Sequence, residues 1–208
     1  MNVTIRLLTL ACCLVGTAAL AAEPATIFKC EGPFGRDGSY AKLVAKYGTA
    51  NITTEEDPKL DGDVVQATIL FANDPTRRLK IEWKDRKARR NPYVITIETA
   101  HSSWSVAGVT IGTALVDLER LNGKPFKLNY FEGDYGGDIT DWRGGRFKAP
   151  LPGGCLLGAS VGIADEIPST VGEAMNAEII ENGALLSSGP GLRAAKPEVG
   201  QMFISYPK

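Results

Sequence analysis

Between residues 39 and 47, Tyr40, Leu43, Val44 and Tyr47 fall at i, i+3, i+4 and i+7. That spacing puts four side chains on one face of an α-helix, and Gly48 follows as its stop. Beyond an acidic stretch (Glu55, Glu56, Asp57, Asp61, Asp63) the period drops to two. Val65, Ala67, Ile69 and Phe71 share one face of a strand; Leu79, Ile81 and Trp83 then oppose Arg78, Lys80, Glu82 and Lys84. Asn73-Asp74-Pro75 is a turn signal between them, and Asn91-Pro92 introduces a third strand in which Tyr93, Ile95 and Ile97 alternate with Val94, Thr96 and Glu98. Alternation of this kind predicts half-buried antiparallel strands.

The helical theme returns at residues 108–126. Leu115, Leu118 and Leu121 form an apolar stripe, Thr113 is placed to cap the N-terminus, and Asn122-Gly123-Lys124-Pro125 ends the helix. Strands are expected after it at 138–147, 155–163, 177–181 and 201–206, the last with Met202, Ile204 and Tyr206 alternating with Gln201, Phe203 and Ser205. The two helix endings, at Gly48 and Gly123, stand 75 residues apart and each leads into strands, so an internal duplication is expected. The fold class that follows is α+β: two similar units, residues 22–100 and 101–208, each a short helix packed on an antiparallel sheet and able to join in one continuous sheet.

Residues 1–21 carry no such pattern. Arg6 precedes an uncharged apolar run from Leu7 to Leu20 and then Ala19-Leu20-Ala21, the outline of a cleaved secretory signal. The run is shorter than the roughly 20 residues a membrane-spanning helix needs, and no span is expected after cleavage. Removing 21 of the 208 residues leaves 187, with 22 basic side chains against 24 acidic. That near-balance implies no global electrostatic partner. Cys12 and Cys13 leave with the signal; Cys30 and Cys155 remain, and an even pair in an exported chain reads as a disulfide. The expected location is the periplasm or the medium.

The run from Gly108 to Pro125, with its glycine, short helix and terminal Asn-Gly-Lys-Pro turn, resembles the helix start of the beta-lactamase-inhibitor-protein-like superfamily. The resemblance implies tandem helix-plus-sheet units and a binding role; the inhibitor's partner-contacting residues have no counterparts on this chain, so inhibition of a lactamase is not implied. The chain also resembles a group of exported bacterial proteins with Asn-Gly-Lys-Pro-Phe (Asn122 to Phe126) followed by Asp-Tyr-Gly-Gly (Asp134 to Gly137). That likeness brings no function with it.

Candidate chemistry is thin. Gly158-Ala159-Ser160-Val161-Gly162 matches a serine-hydrolase elbow, but the sole histidine, His101, precedes Ser160 and no helix start follows the serine. Glu132, Asp134, Asp138 and Asp141 are spaced poorly for a calcium loop; as a carboxylate pair they keep an envelope carbohydrate-active enzyme as the alternative reading. No metal, cofactor or nucleic acid is expected. Tyr130, Phe131, Tyr135, Trp142 and Phe147 stand among Gly133, Gly136, Gly137, Gly144 and Gly145, the densest aromatic segment of the chain. Glycines let a backbone or ligand approach closely and aromatics supply contact area, so Tyr130, Phe131, Tyr135 and Trp142 are the candidate binding residues, with core packing of Trp142 and Phe147 as the alternative. Arg77, Arg78, Lys80, Lys84, Arg86, Lys87, Arg89 and Arg90 form a basic edge suited to solvent or to anionic lipid or wall polymer. The expectation is an exported, non-catalytic binding protein gripping a protein partner in the cell envelope through a sheet face or the glycine-aromatic loop, or else a structural protein held to an anionic surface by that basic strand.

Overall fold

The computed structural model describes residues 25–58, 64–131 and 136–207. The expected signal at 1–21 lies outside them. In chain order the elements are β1 (Thr26–Ile27), α1 (Tyr40–Tyr47), β2 (Ile52–Pro58), β3 (Val64–Leu70), β4 (Leu79–Asp85), β5 (Arg90–Ile97), β6 (Trp104–Ser105), α2 (Leu115–Asn122), β7 (Lys127–Leu128), β8 (Ile139–Asp141), β9 (Leu156–Gly162), α3 (Ser169–Asn182), β10 (Leu185–Leu186), α4 (Pro190–Ala194) and β11 (Glu198–Ser205). The fold is α+β, as the alternation of periods predicts. Helix α1 forms where expected: Ser39 Oγ accepts from Lys42 N at 3.2 Å, and Gly48 closes it at φ 78°.

One six-stranded sheet, ordered β2-β3-β4-β5-β11-β9 and antiparallel throughout, organises the chain. Strands of both halves meet in it, because Ile95 and Ile97 of β5 pair with Ile204 and Met202 of β11. A three-stranded sheet, β10-β7-β8, and the parallel pair β1-β6 stand apart. Ile81, Ile95, Ile204 and Leu157 line one row of the large sheet's inner face, where they share a core with Leu43 of α1, Leu115 and Leu118 of α2, Met175 of α3 and Leu192 of α4. Every described helix therefore contributes to the core on one side. The Cys30–Cys155 disulfide, with Cα atoms 6.0 Å apart, ties the segment after β1 to the start of β9.

Several expectations need correction. Residues 177–181 are the C-terminal part of α3, not a strand: Val171, Met175 and Glu178 recur at helical spacing on its inward side, and Gly183 ends it at φ 69°. Of 138–147 only Ile139–Asp141 is strand, because Arg143 and Gly144 take left-handed conformations (φ 50° and 68°) and turn the chain. Thr113 does not cap α2. The cap position is Ala114, and Thr113 Oγ1 accepts instead from Thr110 N at 2.9 Å. Phe71 leaves the face it was expected to share, since its φ of 57° turns the side chain into the helix-side core while Val65, Ala67 and Ile69 stay on the opposite face. Strand β2 was hidden in the acidic stretch because it is an edge strand with almost every residue exposed.

Candidate functional site

Gly137 and Asp138 of the glycine-aromatic segment lie along the open edge of β9. Asn129 N donates to Asp138 O at 2.9 Å and closes the segment on itself, while Val161 N donates to Gly137 O at 3.0 Å and Asp138 forms a bridge with Ser160, which seats this backbone directly against the strand. Gly137 makes this possible: its φ is 75°, and a Cβ there would collide with the Val161 carbonyl oxygen. Gly145 has the same kind of role. A Cβ on it would collide with the side chain of Asn122, which is buried and holds the segment in place by donating to Lys124 O (2.8 Å) and Trp142 O (3.1 Å) while accepting from Phe147 N (3.2 Å). The glycines thus admit protein backbone and side chain.

Of the four candidate binding residues, Trp142 is a core residue and not a surface anchor. It is 7% exposed, its ring packs edge-on against Phe126 and Phe147 with centroids 5.2 and 5.1 Å away, and its indole N–H donates to Leu157 O at 3.0 Å. Tyr130 and Phe131 are half-buried against the same core. Tyr135 lies outside the described residues, as do Glu132 and Asp134. Asp138 accepts a short hydrogen bond from Ser160 Oγ, and Asp141 Oδ1 accepts from Arg143 N at 2.8 Å. The serine of the elbow-like motif therefore sits mid-strand on β9 with a carboxylate partner, while His101 is an exposed residue. Among the described residues no three or more His, Cys, Asp or Glu converge on a metal position.

Asp138 and Ser160 lead onto the sheet face that looks away from the helices. Cross-strand register sets out that face in rows. Lys80, Thr96, Phe203 and Gly158 form one; Glu82, Val94, Ser205 and Leu156 form the next. On the other side of the first, Gln201 pairs with Ser160, and its side-chain amide donates to Glu98 Oε2 at 3.0 Å. Val94, Phe203 and Leu156 are half-buried and stand outside the helix-side core; Phe203 lies in the first row and Val94 and Leu156 in the next, so they form an apolar cluster across two rows, interleaved with Thr96, Glu82 and Ser205.

Charge frames this cluster. Lys80 Nζ is 3.5 Å from both Glu98 Oε2 and Asp57 Oδ2. The Asp57 contact is informative about shape: the β3 partner of Lys80 is Ile69, whose β2 partner is Thr53, four residues along the strand from Asp57. In a flat sheet that diagonal is about 16 Å, further than the two side chains reach, so the β2–β3 corner curls over the outer face. Val65, Ala67 and Ile69 lie buried in this corner. Arg78 forks onto Glu55 at 2.8 and 3.2 Å, and that hydrogen-bonded guanidinium holds the Glu55 carboxyl below its ordinary range.

The basic run divides by role. Arg77 pairs with Asp74 at 2.6 Å and lies over Phe71, Arg89 stacks on Tyr40 with its guanidinium carbon 3.8 Å from the ring centroid, and Arg78 and Lys80 hold the curled corner. Lys84, Arg86, Lys87 and Arg90, at the tip of the β4–β5 hairpin, are exposed and make no ion pair among the described residues. No family model, curated protein or solved structure matches this chain.

Proposed function

We propose that this chain is an exported, non-catalytic binding protein that holds a protein partner against the outer face of its six-stranded sheet. The observation that carries the reading is the half-buried apolar cluster of Val94, Phe203 and Leu156, spread over two rows of the face opposite the helix-side core and framed by Lys80, Glu98 and the Arg78–Glu55 pair. An apolar centre with a charged rim suits a protein surface patterned the same way. Asp138, at the edge of the glycine-aromatic loop, touches this face through Ser160, which supports a surface that extends towards the loop. Export is supported by the disulfide, which persists in oxidising compartments, and by the signal-like residues 1–21. The resemblance of residues 108–125 to the beta-lactamase-inhibitor-protein-like superfamily supports binding over catalysis.

The test is capture from an envelope extract with the oxidised protein, beside Phe203→Asp and Val116→Asp variants. Phe203 lies in the apolar cluster, whereas Val116 is a 53% exposed residue of α2. A single saturable protein partner lost with Phe203→Asp and kept with Val116→Asp is the expected result. Retention of that partner by a folded Phe203→Asp variant rejects the surface. A second reading rests on the four exposed cations of the β4–β5 tip, which suit anionic lipid or wall polymer; it predicts retention that falls steeply between low and high salt.

A further inference from the structure

A groove of about 450 Å³ opens beside the disulfide, between the segment that follows β1 and the turn that leads into β9. Its size falls within the roughly 300–1,000 Å³ common for small-molecule sites. The walls are apolar: Ile27, Phe28 and Ala107 on one side, Leu151 and Pro152 on the other. Ile27 is 70% exposed, an unfavourable place for a branched apolar side chain with nothing laid against it.

Both walls are preset. Thr26 N and Phe28 N donate to Ser103 O and Ser105 O at 2.6 and 2.8 Å, which fixes β1 along β6. Leu151 N donates to Cys155 O, and Gly154 N to Leu151 O, each at 2.8 Å. Gly153, at φ 91°, lies so close to Cys30 that a Cβ would strike the Cys30 carbonyl, and the disulfide locks the two walls together. A preformed groove costs little ordering on binding.

Its charges are unequal. Lys29 and Glu31 face each other at 3.7 Å, whereas Arg146 is exposed, makes no ion pair among the described residues and is steadied by Phe147, whose ring centroid is 5.5 Å from the guanidinium carbon. An apolar groove with one surplus cation at its mouth complements a molecule with one apolar chain and one anionic head.

We propose that this groove binds a single-chain carboxylate of the fatty-acid type, its chain along Ile27, Phe28 and Leu151 and its carboxylate on Arg146. The site is separate from the sheet face, so either proposal can fail without the other. The experiment titrates the purified oxidised protein with a fluorescent polyene fatty acid and displaces it with dodecanoate or dodecanol, both below the concentration at which dodecanoate forms micelles. Expected are one saturable site, dodecanoate displacing about tenfold better than dodecanol, and a loss of about tenfold in dodecanoate affinity with Arg146→Gln while dodecanol is unaffected, the lower end of what one charge-assisted hydrogen bond supplies. Leu151→Trp, filling the groove at a half-buried turn position, should abolish displaceable binding with the thermal midpoint unchanged. Absence of saturable binding, equal displacement by acid and alcohol, an Arg146→Gln variant that binds dodecanoate like the parent, or a folded Leu151→Trp variant that still binds would each overturn the proposal.

Discussion

Replacing both cysteines of the Cys30–Cys155 pair with alanine tests how far one covalent tie supports this fold. The cysteines are 125 residues apart in sequence. A loop of that length costs roughly 16 cal/mol/K to close in the unfolded chain by the chain-entropy relation, about 5 kcal/mol at 25 °C. Residual structure in the unfolded chain reduces this, so a loss of about 3–5 kcal/mol is expected. Trp83, Trp104 and Trp142 are all buried and report unfolding by fluorescence. With a urea slope of about 2 kcal/mol/M, the midpoint should fall by about 2 M. Because the constraint acts on the unfolded chain, refolding should slow while unfolding changes little. A midpoint shift equivalent to less than about 1 kcal/mol would refute the entropic reasoning. A faster unfolding rate with unchanged refolding would show that the bond acts by packing the native groove walls.

Gly137→Ala should cost about 2–3 kcal/mol, combining about 1–2 for the left-handed backbone with about 1 for the disrupted Val161 N–Gly137 O bond, whereas Gly183→Ala, left-handed but with open space at its Cβ, should cost only the first part; urea unfolding of the two variants checks the difference. Asn122→Ala strands the Trp142 carbonyl and the Phe147 N–H in a buried site and should destabilise by about 3 kcal/mol, with a shift in Trp142 fluorescence. Burial, opposed by Arg36, pushes the Tyr206 phenol up to about 12 from its ordinary 10, and its hydroxyl donates to Phe34 O. The unfolded phenol therefore ionises first: stability is unaffected by this group below pH 10 and declines between about pH 10 and 12, and alkaline denaturation of Tyr206→Phe should lack that part of the decline.

Helix α1 was legible because two signals agree, a 3.6-residue stripe and a glycine stop, and the structure adds the Ser39 cap. Strands β4, β9 and β11 were legible because one face of each is largely buried, so alternation survives in the sequence; in β5 Ile95 and Ile97 are buried as expected, whereas Tyr93, expected on the same face, is 58% exposed. Strand β2 was not, because five residues of this edge strand are exposed and polar side chains dominate it, so no apolar period shows. The 177–181 segment misled because a short apolar run carries no period of its own; the glycine at 183 was the helix stop that could have corrected it. Glycine density at 133–145 signalled close approach without saying of what, and at Gly137 it is the backbone of β9. The outer face had one visible sign. Phe203 stands between Gln201 and Ser205 on the polar side of β11, an apolar residue where alternation calls for a polar one.

The central claim is that a protein partner meets the outer sheet face, and photo-crosslinking from single positions tests it most directly. A photoreactive phenylalanine analogue at position 203 should yield one discrete crosslinked species in the native envelope, and the same analogue at position 116 on α2 should yield none. Crosslinking from position 116 with none from position 203, in protein with an unchanged thermal midpoint, would contradict the account.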